Sequence, residues 1–318
     1  MKKKNIIINA FPIALFAFAG RALTVGRGVL VDGLAAVLLA FAAIPVAAWA
    51  SNSVFGEGGI RSKKSMTGRI LYSVFALFSA AAALCIAAVS AREFSVFASE
   101  VMLVRIPSWG VTAVFLGFCA YLSGGGMTVL RKFSFVAFLI TSAAVLVLFL
   151  LSVPNFEMPD VRELLDLGEI SIGGAASAFG GIFAPSVIAV IYLSAGERRE
   201  KNGVRPLEAF LAVLLSGLLL LVCYLNVRLL LGGSFGPTRD YPYSEAVSTV
   251  TAGKLFARME GFAYVMYYAV TAVKTAVSVA LVCLLAKNLL PRRTENKKSL
   301  NALPYAVSVI VWALSAIL

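Results

Sequence analysis

The sequence predicts an all-α integral membrane protein, and three observations carry that prediction. Of its 318 residues, 60% are apolar and only 14% are charged, with a mean hydropathy of +0.90. A soluble domain carries about a quarter of its residues as charges. The apolar residues gather into nine segments, most of them close to the roughly 20 residues that one bilayer crossing needs. The basic residues fall on alternate connections between these segments, the pattern of cytoplasmic loops. This composition excludes a soluble enzyme and a disordered chain, and it leaves one transmembrane domain over residues 1–318.

In order, the segments run approximately over residues 6–23, 33–50, 69–96, 109–122, 133–151, 174–193, 207–231, 262–285 and 303–318. The fourth and ninth are short for a crossing. The first has two readings. Lys2, Lys3 and Lys4 precede an apolar run ending in Ala17, Phe18 and Ala19, which is either a retained first helix or a signal peptide with a small-residue cleavage site. Both start from a cytoplasmic N-terminus.

With that start, Lys2 to Lys4, Arg61 to Arg69, Arg131 and Lys132, Arg198 to Arg205, and Lys287 to Lys298 all face the cytosol. They hold 18 of the 28 lysines and arginines. The outer connection 155–173 is acidic instead, with Glu157, Asp160, Glu163, Asp166 and Glu169 against Arg162. The net charge of +12 therefore records orientation and gives no reason to expect a nucleic-acid partner. Within that connection, residues 159–167 read as a short amphipathic helix with Asp160 at its N-cap. Residues 244–256 read as a segment lying along the surface.

The side-chain inventory removes further chemistries. There is no histidine, so imidazole bases and histidine-ligated haem or zinc are out of reach. Cys85, Cys119, Cys223 and Cys283 sit singly in apolar tracts and read as small hydrophobes. No metal site, cofactor or catalytic residue is expected. A membrane enzyme acting on lipid fits poorly, because the carboxylates lie mostly at the rims.

Two segments carry helix-breaking residues. The first holds Pro12 and Gly20, and the sixth holds Gly173, Gly174, Gly180, Gly181 and Pro185. Inverted-repeat transporters break the first helix of each repeat near the bilayer midplane, exposing backbone groups to a ligand. The sequence fits such a plan with repeat one at about 6–151 and repeat two at about 174–318. Helix packing through small residues is the alternative. In a 5 + 5 plan a tenth helix is missing from the second repeat.

Charges inside apolar spans are functional candidates because each is costly there. Lys274 lies 16 residues after Arg258, about 24 Å along a helix, so it is expected deep in the membrane; snorkelling to the inner headgroups is its other reading. Arg92 with Glu93, and Arg258 with Glu260, are expected as interfacial charges at the outer rim. Tyr264, Tyr267 and Tyr268 form an aromatic cluster in the outer half of the eighth segment, from which Tyr267 could line a cavity.

A set of short motifs runs along the chain: Arg92-Glu93-Phe94 with Pro107, Val153-Pro154-Asn155-Phe156, Phe179-Gly180-Gly181, Tyr241-Pro242 with Glu245, Arg258-Met259-Glu260, and Val273-Lys274. In order and spacing this set resembles the B subunits of spore nutrient germinant receptors, the GerAB-like spore germination permeases. That family belongs to the amino acid, polyamine and organocation transporter superfamily. The resemblance implies a LeuT-like inverted-repeat bundle of about nine transmembrane helices here, in the spore inner membrane. It also implies a receptor subunit that binds a small nutrient such as an amino acid and works with A and C subunits.

Carried over by position, the resemblance places the ligand between helices one, three, six and eight, against Ser79, Phe179, Gly180, Gly181 and Tyr267. Lys274 would take the place of a coupling ion. Gly181 stands where the family usually carries a glutamate. The alternative function is a secondary amino-acid or cation transporter of the same superfamily.

Overall fold

The computed structural model describes residues 4–19, 30–55, 66–102, 106–156, 172–196, 204–235, 241–250, 260–289 and 297–317. All regular structure among them is helical. The helices are α1 (Lys4–Ala19), α2 (Leu30–Phe55), α3 (Met66–Phe97), α4 (Ser108–Gly124), α5 (Gly126–Ser152), α6 (Ile172–Gly196), α7 (Pro206–Phe235), α8 (Pro242–Ser248), α9 (Glu260–Leu289) and α10 (Lys297–Ile317). The eighth and ninth apolar segments are α9 and α10.

Six helices contain stretches long and apolar enough to cross a bilayer: Asp32–Phe55, Met66–Val101, Gly126–Asn155, Ile172–Gly196, Pro206–Leu231 and Gly261–Asn288. The apolar stretches Ser108–Gly124 and Ala302–Ile317 are shorter. A helix of 17 residues, the length of α4, rises about 25 Å, just short of the ~30 Å hydrocarbon layer. The chain is a multi-pass helical membrane protein.

Burial sorts the rods. In α9, 83% of the apolar stretch is buried, against 22% in α2, so α9 is the central rod and α2 a peripheral one. Around α9 pack α1, α3, α4, α5, α6 and α10. Farther out, α2 packs on α6 and α7, α1 on α5, α6 and α7, and α10 on α3 and α4. The periphery exposes large apolar side chains such as Leu38, Trp49, Leu77, Phe78, Val114 and Leu150. A water-facing surface would not carry so many; this one is built for acyl chains.

Several hydroxyl groups inside the spans are satisfied locally. The side chains of Ser90, Ser134, Ser152 and Ser186 each donate to the carbonyl four residues back, at 2.6 to 2.7 Å. Between helices, Ser194 and Asn52 tie α6 to α2.

The expected midplane interruptions are absent from the described residues. Helix α6 runs unbroken through Gly180, Gly181 and Pro185, and α1 runs unbroken through Pro12; Gly20 lies outside the described residues. A proline removes one in-helix donor without unwinding its neighbours when packing on both sides holds them. Pro185 therefore leaves the Gly181 carbonyl without its helical partner while the rod continues. Residues 159–167 also lie outside the described residues. The surface-lying segment includes α8, whose Tyr243, Ala246 and Val247 are buried against the bundle together with Val250.

Candidate functional site

Helix α9 places Tyr267, Thr271, Lys274 and Ser278 at intervals of four, three and four residues, which puts them on one face. All four are buried. A polar stripe on the central helix of a membrane bundle is costly unless it lines something polar.

Lys274 stands at the middle of α9 and is 7% exposed. Its ammonium makes no hydrogen bond or ion pair among the described residues. Only its backbone carbonyl is engaged, accepting from Ser278 Oγ at 2.9 Å. The adjacent Thr275 hydroxyl and that of Thr141, on the neighbouring α5, are buried without partners. Glu93 on α3 is near enough to act electrostatically on both Lys274 and Tyr267. Lys274 thus sits within the most buried of the spans.

Tyr267 is 4% exposed and packs into an aromatic cluster between α9 and α3. Its ring meets Phe97 edge to face at 5.0 Å and Phe94 at 5.9 Å. Phe94 stacks on Phe115 at 4.4 Å, and Tyr268 and Tyr241 extend the cluster to α4 and the start of α8. The cluster closes one end of the polar stripe.

Ser79 lies near the middle of α3, which packs on α9, and is 6% exposed. Its hydroxyl has no hydrogen bond among the described residues. Phe179, Gly180 and Gly181 sit on α6, which also packs on α9. Phe179 stacks on Phe183 at 4.9 Å, and no ring contact or hydrogen bond joins it to Tyr267 or Ser79 among the described residues. Gly180 is exposed, and a methyl group added there would meet nothing within 4 Å.

Of the rim charges, Arg92 and Glu93 do not pair with each other among the described residues. As consecutive residues on a helix they point apart. Arg92 Nη1 instead reaches the Ser315 carbonyl on α10 at 3.5 Å. Arg258 and the Glu260 side chain lie outside the described residues. Sequence reasoning missed Thr271, Thr275 and Ser278, although their spacing from Lys274 was a readable signal.

A search of curated proteins finds no match for the chain. A family model described as Spore germination protein, Spore_permease, matches residues 11–317. Its span takes in every one of the ordered motifs, from Arg92 through Lys274, on a multi-pass helical bundle. The chain belongs to the spore germination permease family, whose members are permease-type membrane proteins.

Proposed function

We propose that the chain is the membrane-embedded nutrient-sensing subunit of a germinant receptor. In this reading it binds an amino acid between α1, α3, α6 and α9 and signals through A and C subunits in the spore inner membrane, with its N-terminus in the cytosol. The observation that carries the proposal is the buried ammonium of Lys274, without a hydrogen bond or ion pair among the described residues, on the polar stripe of the central helix.

A LeuT-like plan with nine spans is supported by the packing. Exchanging each segment of the first half for the one five positions on turns the α1 and α7 contact into α6 and α2. It turns α4 and α9 into α10 and α3, and every one of these pairs packs. Five crossings per repeat invert the second repeat relative to the first, as in transporters with a midplane site.

Lys274 then supplies a fixed positive charge where a coupled transporter would hold its cation. Gly181 gives a ligand a stretch of wall without a side chain, and its carbonyl, freed by Pro185, is an acceptor for the ligand's ammonium group, whereas Gly180 lies on the exposed face of α6. Tyr267 and Ser79 flank the ligand. With α6 unbroken, the ligand carboxylate has no half-helix N-terminus to meet.

Lys274→Met and Lys274→Ala should abolish the germination response to amino acids while the protein remains in the membrane at normal levels. A normal response in both variants overturns the proposal. Secondary transport is the other activity this architecture supports. Saturable amino-acid uptake by the purified chain in proteoliposomes would favour it, and flat uptake with retained binding favours sensing.

A further inference from the structure

A cavity lies at the other end of α9 from the aromatic cluster, where the sequence places its cytoplasmic charges. Its volume is about 590 Å³, within the range of small-ligand sites. Five helix ends build it. The turn through Gly125 joins α4 to α5 on one side, Tyr192 and Gly196 come from the end of α6, Lys287 from the end of α9, and Tyr305 from α10.

The chemistry of this wall is one-sided. Lys287 contributes an ammonium, and no carboxylate stands among the described lining residues. Helix α5 begins at Gly126, whose φ of +76° turns the chain, and no side chain caps its first amides. Those amides carry the positive end of the helix dipole.

An independent observation points to a missing acceptor. Tyr192 is 5% exposed and lines the cavity, yet its hydroxyl makes no hydrogen bond among the described residues. Arg131 is near enough to act on that hydroxyl electrostatically. A phenol on a cavity wall with no protein acceptor is free to donate to a bound anion.

We propose that this cavity binds a phosphate ester, drawn either from the headgroup of an anionic phospholipid or from a soluble phosphate monoester. Phosphate presents three strong acceptor oxygens, and α5, α6 and α9 present three kinds of donor from three directions: amides, a phenol and an ammonium. Tyr121 and Tyr305 on the rim are exposed, as aromatic side chains at headgroup depth are. The site is separate from the nutrient pocket and does not depend on that reading.

The test uses the full chain in phosphatidylcholine nanodiscs, with and without phosphatidylglycerol, followed by native mass spectrometry for retained lipid. A parallel arm titrates glycerol 1-phosphate into the phosphatidylcholine discs and follows the thermal midpoint. Retained phosphatidylglycerol identifies a lipid source, and a rise in midpoint with glycerol 1-phosphate identifies a soluble one.

In either case Lys287→Gln, at an exposed position, and Tyr192→Phe, which keeps the ring volume, should weaken binding at least fivefold. Lys132→Gln, an exposed cation of α5 outside the cavity, should not. Binding of neither probe by the unaltered chain, or an equal loss in Lys132→Gln, overturns the proposal.

Discussion

The Ser194 hydroxyl on α6 donates to Oδ1 of Asn52 on α2 at 2.9 Å, and the Asn52 amide nitrogen donates to the Val204 carbonyl at 2.7 Å. One side chain thus ties two helices to the start of a third. Polar contacts between membrane helices average about 0.6 kcal/mol and reach about 1.7. Asn52→Ala should therefore lower stability by roughly 1–2 kcal/mol, read as a drop in thermal midpoint in detergent, and Ser194→Ala by about half as much. If both midpoints stay unchanged, the tie contributes nothing to the bundle.

Tyr267 separates packing from recognition. Tyr267→Phe keeps the ring against Phe97 and Phe94 and should change stability by less than about 1 kcal/mol, the worth of one hydroxyl contact. Tyr267→Ala opens a cavity in the cluster and should cost about 3–5 kcal/mol. If the hydroxyl contacts the nutrient, the Phe variant needs a several-fold higher ligand concentration for half response. Dose curves on membranes with matched protein levels measure that difference.

Much of this organisation was legible in the residues. The rods follow from runs of apolar side chains, and the mid-helix position of Lys274 follows from its place in the eighth run. The state of α6 was not legible. Gly180, Gly181 and Pro185 make a break affordable, but whether the backbone takes it depends on neighbours that the local sequence does not name. Here α6 packs against α2, α1 and α9 and stays whole. The π-helical turn Ala98–Met102 that ends α3 likewise carries no local residue signal. The polar face of α9 lay in plain view as Tyr267, Thr271, Lys274 and Ser278, and reading those positions as one stripe needed only the helical period.

Asn226 on α7 is fully buried, and both polar atoms of its amide lack partners. The Tyr243 hydroxyl of α8 comes near it without reaching hydrogen-bond geometry and is itself unpaired. Replacing an unsatisfied buried amide by an apolar side chain of similar volume removes a desolvation penalty of about 1–3 kcal/mol. Asn226→Leu should consequently raise the thermal midpoint, against the usual trend for core substitutions. A fall of similar size would mean that Asn226 is satisfied by something bound in the membrane.

Sidedness yields to chemical labelling because the four native thiols are poor targets. Cys119, Cys223 and Cys283 are buried, and Cys85 is exposed only on an apolar span, where a membrane-impermeant maleimide finds no thiolate. Single cysteines placed at Ser108, at the start of α4, and at Lys132, in the second turn of α5, are both exposed and lie on opposite sides of the α4 crossing. With basic connections facing the cytosol, Ser108→Cys should label on intact right-side-out vesicles, and Lys132→Cys only after permeabilisation. The reverse pattern would turn the protein over and move the Lys287 cavity to the outer face, where neither the cytosol nor the inner leaflet could supply its phosphate.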